Sequence, residues 1–141
     1  DRILLEPRPG PLSDSLEAAV DHLGGRGFGV LVAHPERHLT ADLFERLGRL
    51  IERGALVQAT AAFFEDGPVA EGMLELARRG CVHVLGSDAH SSHGGRPVDP
   101  TGALRVLEGV DRVASHLDWI AHEAPRAILA GGAVRPPFAY G

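Results

Sequence analysis

Short apolar runs alternate with longer stretches whose apolar residues recur at three- and four-residue spacing. Ile3-Leu4-Leu5 is a run that ends at Glu6, after which Pro7, Pro9, Gly10 and Pro11 break the chain. From Ser13 or Asp14, Leu16, Ala19, Val20 and Leu23 fall at i, i+3, i+4 and i+7, the stripe of an amphipathic helix, and Gly24-Gly25 closes it. Phe28 to Ala33 predicts a buried strand. Thr40 caps a helix with Leu43, Phe44, Leu47, Leu50 and Ile51 on one face, stopped by Gly54. Ala55 to Ala59 reads as a third strand, Val69 to Arg79 as a helix with Met73, Leu74 and Ala77 inward, and Cys81 to Leu85 as a fourth strand. A Gly-rich loop, Ser91 to Pro97, then leads to helices over Thr101–Leu107, Asp111–His122 and Pro125–Leu129, and to an irregular tail from Val134 to Gly141. The strands recur at roughly 26-residue spacing with a helix after each, the rhythm of βαβ units in an α/β fold with a parallel sheet.

Polar chemistry is concentrated just after these runs. Glu6 follows Leu5, His34 follows Ala33, and Asp88 and His90 follow Leu85 by three and five residues. In parallel β/α folds these strand ends share one face, and in barrels that face carries the active site. Two carboxylates and two imidazoles suit Zn, Mn or Fe. Asp-x-His places two side chains on one face of an extended segment, so Asp88 and His90 are expected to reach one metal cluster. Arg37 and Arg96 lie close by, and their planar forks suit phosphate.

Other polar residues read as structural. His22, His116 and His122 fall on helix surfaces, and His83 alternates within a strand as a packed core histidine. Cys81 begins a strand at the end opposite the site, while His38 and His93 sit near it without a ligand pattern.

Composition narrows the classes. The chain has 141 residues, 44% hydrophobic and 23% charged, with mean hydropathy near zero, which predicts one globular domain or a piece of one. Formal net charge is -5, all 14 basic residues are Arg, and no basic cluster occurs, which argues against a nucleic-acid partner. No apolar run is long enough for a membrane span. The single cysteine allows no disulfide framework and predicts a reducing compartment, read as the cytoplasm. No Walker A loop, strand-following G-x-G-x-x-G, or G-x-S-x-G elbow is present. The start at Asp1, almost directly in a strand, predicts a reading frame that begins upstream.

At these residues the sequence resembles the polymerase-and-histidinol-phosphatase (PHP) superfamily, and within it the bacterial PHP-type tyrosine-protein phosphatases of capsule and exopolysaccharide clusters. The resemblance rests on Leu4-Leu5-Glu6, Ala33-His34-Pro35-Glu36-Arg37, Leu56-Val57-Gln58-Ala59-Thr60-Ala61, His83 to His90, and Arg96-Pro97, in family order from Asp1 to about Gly131. It implies a distorted (β/α)7 TIM-like barrel with up to three divalent metal ions, manganese first, with iron or zinc as alternatives. It implies Glu6 as a bridging carboxylate, His34, Asp88 and His90 as further ligands, and Arg37 and Arg96 as phosphate-holding residues. The implied substrate is phosphotyrosine on the tail of a polysaccharide-export tyrosine kinase, and oligomers are compatible with it. The family's opening His-x-His, a further acidic ligand and another His have no counterpart here. Residues 1–141 are therefore expected to form the C-terminal part of a single barrel domain. The rival readings are a small-molecule phosphatase of the histidinol-phosphatase kind and a degenerate regulatory domain.

Overall fold

The computed structural model describes residues 1–91 and 93–141, leaving Ser92 of the expected Gly-rich loop outside the described residues. Its sheet has four strands, β1 (Arg2–Leu5), β2 (Gly29–Ala33), β3 (Leu56–Thr60) and β4 (Val84–Gly86). They lie side by side in chain order, every neighbouring pair parallel. Each crossover carries a helix: α1 (Ser15–Gly25), α2 (Leu43–Glu52) and α3 (Ala70–Arg78). Parallel strands need such crossovers, and an order that never reverses is that of a barrel arc, whereas doubly wound sheets reverse at a switch point. The expected α/β class with parallel strands of a TIM-like barrel is what is found.

Side-chain alternation divides the sheet into two faces. Val30, Val32, Val57 and Ala59 pack with Leu43, Leu47, Met73 and Leu76 of the crossover helices in the main core. Leu31, Leu56 and Val84 face the other way, under Ala124, Trp119, Ile128 and Val134. Leu4 pairs with Leu31 and so shares this second face, but it remains 54% exposed. On the outer side of α1 and α2, Arg46, Arg49 and Arg53 reach Asp14, Glu17 and Asp21, a ladder at helical spacing that fixes the two helices side by side.

Two expected boundaries shift. The fourth strand was expected over Cys81–Leu85, but the ladder holds Val84–Gly86, because Gln58 pairs with Val84. His83 is buried ahead of it and donates its backbone N–H to Val57 O at 3.0 Å. The helix expected over Asp111–His122 is broken. After α4 (Thr101–Leu107), α5 covers only Asp111–Ala114, a wide π-type turn follows over Trp119–Glu123, and α6 spans Ala124–Leu129. The break brings His116 and Trp119 together around Phe138, with ring centroids at 5.6 and 5.7 Å. His116 is thus half-buried among aromatic rings, not a surface residue as its helical spacing suggested.

The tail is irregular, as expected, yet it is tied down. The Tyr140 hydroxyl donates to Phe44 O at 3.1 Å, and Arg112 donates to Ala139 O and Gly141 O. A Cβ on Gly48 would lie 2.4 Å from the Tyr140 ring, so only glycine admits the tail at this point of α2. Among the described residues no helix is long and apolar enough to cross a membrane.

Candidate active site

Glu6, His34 and Asp88 come from the same end of β1, β2 and the segment after β4. His34 Nε2 lies 3.8 Å from Glu6 Oε1 and 3.7 Å from Asp88 Oδ1. These separations exceed a hydrogen bond but match two atoms on one ion, roughly 3–4 Å apart for bonds of about 2.1 Å. Arg37 stands between the carboxylates: NH1 pairs with Glu6 Oε1, and NH2 lies 3.5 Å from Asp88 Oδ2. Arg96 NH1 donates to the same Asp88 oxygen at 2.6 Å. Its guanidinium also sits 5.6 Å above the Phe63 ring, in the turn that follows β3.

Backbone conformation aims these groups. His34 (φ 61°) and Asp88 (φ 50°) are the described non-glycine residues with positive φ. Left-handed backbone is unfavourable for such residues, and it clusters at functional sites. At His34 it opens the single-turn 3₁₀ helix Pro35–His38, which brings Arg37 back over the end of the sheet. The loop after Glu6 is stitched to this turn. Gly10 N–H donates to Arg37 O at 3.2 Å, and His38 Nδ1 pairs with Gly10 O at 2.6 Å. His38 is thereby buried as a brace of the loop.

His90 departs from expectation. The left-handed Asp88 breaks the extended geometry that was to place both side chains on one face. The His90 side chain is 78% exposed, with Nδ1 turned back to Asp88 O at 2.8 Å. It still lines an open concavity of about 380 Å³ with Asp88, Gly94, Gly95 and Arg96. A larger one of about 450 Å³ continues along Ser91, Arg96, Pro97, Val98 and Asp99.

Two residues without an assigned role in the sequence complete the arrangement. His34 Nδ1 lies 3.2 Å from Glu36 Oε1 and 3.3 Å from Thr60 Oγ1. Thr60 ends β3, the one strand for which no polar terminus was singled out. Position alone would have found it, since it closes β3 at the same end of the sheet at which His34 follows β2. Glu36 is only two residues from His34, but the tight turn that makes this spacing useful leaves no periodic signal.

The donor set fits a divalent cation in kind: two carboxylates and an imidazole nitrogen converge, and a further imidazole stands at the rim. No three His, Cys, Asp or Glu side chains among the described residues already hold ligating geometry. Arg37 engages Glu6 Oε1, and Arg37 and Arg96 both engage Asp88 Oδ2, leaving Asp88 Oδ1 facing His34. Away from the site, Cys81 is buried, and burial pushes its thiol up to about 12.

A family model described as "Capsular polysaccharide synthesis, CpsB/CapC" matches residues 1–118. The chain belongs to the CpsB/CapC family. Membership agrees with the PHP resemblance carried by the His34-to-Arg37 and Ser87-to-His90 segments. A solved chain from the crystal structures of YwqE from Bacillus subtilis and CpsB from Streptococcus pneumoniae, described as unique metal-dependent tyrosine phosphatases, superposes with a TM-score of 0.82 at 25% identity. The match covers 99% of this chain and 57% of that one, so this CpsB/CapC chain spans little more than half the length of its structural relative. No curated protein matches the chain.

Proposed function

We propose that residues 1–141 form the C-terminal part of a single PHP-type barrel domain in a metal-dependent phosphoester hydrolase. Its substrate class is protein phosphotyrosine, on the tail of a tyrosine kinase that governs polysaccharide export in the cytoplasm. The observation that carries the reading is the convergence of Glu6, His34 Nε2 and Asp88 with two arginine forks at one end of a parallel sheet. The CpsB/CapC membership and the relative's described activity support it.

Glu6, His34 and Asp88 would hold the metal, with His90 joining from the rim; manganese is preferred, iron or zinc being the alternatives. Bound divalent ions supply Lewis acidity at the phosphoryl oxygens and lower the pKa of water toward neutrality. Asp88 gathers Arg37 and Arg96 at one point before any substrate arrives. A phosphoryl dianion can take over both forks without reorganising them, and each then stabilises charge on the equatorial oxygens. Phe63 beneath Arg96 limits where that fork can travel.

The test is turnover of p-nitrophenyl phosphate and of a phosphotyrosine peptide by the protein containing this chain, with and without Mn²⁺. Metal-dependent turnover that falls about 100-fold or more in Asp88→Ala is expected. Turnover without metal dependence, or equal turnover in Asp88→Ala, would sink the proposal. Preferential cleavage of histidinol phosphate would move the substrate to small molecules.

A further inference from the structure

We infer that Glu36 is a positioning residue whose buried carboxylate sets the tautomer and orientation of His34, so that Nε2 presents a lone pair toward Glu6 and Asp88. The link to metal rests on the function proposed above; the tautomer assignment does not.

The Glu36 side chain is 3% exposed, and Oε1 lies 3.2 Å from His34 Nδ1. Its other oxygen, Oε2, is buried without a hydrogen-bond partner. A carboxylate half satisfied inside a protein is costly, and an apolar residue would pack the same space at lower cost. The retained oxygen therefore points to a specific task at His34. A carboxylate only accepts, so the hydrogen belongs on Nδ1 and Nε2 is left bare. Thr60 Oγ1, at 3.3 Å from Nδ1, does not decide the matter, because a hydroxyl donates or accepts equally well.

With Nδ1 protonated, three acceptor atoms face one another: His34 Nε2, Glu6 Oε1 at 3.8 Å and Asp88 Oδ1 at 3.7 Å. Arg37 already donates to Glu6 Oε1, but no hydrogen bridges His34 Nε2 to either carboxylate, so its lone pair is left free for a cation. The backbone also needs the contact. His34 precedes Pro35 and stands at φ 61°, ψ 50°, a conformation that must be held from several sides. Its N–H is held by Gln58 O at 3.2 Å, its carbonyl by Arg37 N–H at 3.0 Å, and its ring by Glu36 and Thr60. Outer carboxylates on ligating histidines act in this way in general, and their loss weakens metal binding by about 10- to 100-fold.

The experiment reads the His34 tautomer by long-range ¹H–¹⁵N NMR on the metal-free protein, with the resonances assigned by their loss in His34→Gln. Mn²⁺ affinity is measured on the same samples. The wild type is expected to carry its proton on Nδ1. Glu36→Leu should populate the Nε2–H form and weaken Mn²⁺ binding tenfold or more. Glu36→Gln, whose amide oxygen still accepts, should keep Nδ1–H and lose less affinity. A wild-type proton on Nε2, or a wild-type tautomer in Glu36→Leu, overturns the assignment. If Glu36→Leu does not fold, the wild type still decides, since Nε2–H there is sufficient refutation. A tautomer that follows Glu36 while no variant binds Mn²⁺ supports the role of Glu36 and counts against the metal reading, so the two fail separately.

Discussion

Arg96 NH1 donates to Asp88 Oδ2 at 2.6 Å, tying the Gly-rich loop to the end of β4. Phosphate must compete with Asp88 for this fork. Arg96→Ala is expected to lower kcat/KM for p-nitrophenyl phosphate about 100-fold, and Arg96→Lys to recover only part of it, because an ammonium cannot bind bidentately. Steady-state kinetics check this; an Arg96→Ala enzyme with wild-type kcat/KM would remove Arg96 from the clamp.

His83 is fully buried, and Val57 N–H donates to its Nδ1 at 2.9 Å. Burial pushes the imidazole down from 6.5 to about 4. The unfolded chain therefore binds more protons than the folded one between these values. Stability is fully present above about pH 6.5 and is lost as pH falls toward 4, by up to roughly 3 kcal/mol. Urea midpoints from pH 4 to 8 should show this slope, and His83→Gln should flatten it whatever its absolute stability. An unchanged slope in His83→Gln refutes the assignment.

Gly48 admits the Tyr140 ring where a Cβ would stand 2.4 Å from it. Gly48→Ala is expected to destabilise by about 1–3 kcal/mol through overpacking. In a Tyr140→Ala background the same change should be neutral or stabilising, since alanine is the better helix former. Denaturant unfolding of the four proteins gives the coupling; additive effects would show that the tail does not press on α2.

Leu4 shares its sheet face with Leu31 yet is 54% exposed. An apolar strand of this kind invites pairing with another chain. The 141-residue chain alone is expected to self-associate, and Leu4→Lys to reduce the association. Light scattering that shows a monodisperse monomer for the unsubstituted chain would contradict this.

The fold was legible because its signals are local. Leu43, Leu47 and Leu50 mark one helix face, Val30 and Val32 mark a buried strand, and Glu6, His34 and Asp88 follow apolar runs at one end. What was not legible depends on single dihedrals and on tertiary packing. Asp88 at φ 50° turns His90 outward, which no residue spacing announces. Glu36 reaches His34 only because Pro35 begins a tight turn from a left-handed residue. His116 changes from surface to half-buried because the helix breaks after Ala114, and the reason lies in Phe138, more than twenty residues on.

The sequential strand order has a consequence for how the chain is made. β2 pairs with β1, β3 with β2 and β4 with β3, so every sheet contact joins a strand to the one just synthesised. Each pairing closes over a single β/α unit, so no strand waits for a partner from a distant part of the chain. A ribosome releasing this polypeptide would deliver each β/α unit onto a finished template. Glu6 and His34 would then be in place before Asp88 is translated, and Arg96, arriving last, would close the constellation.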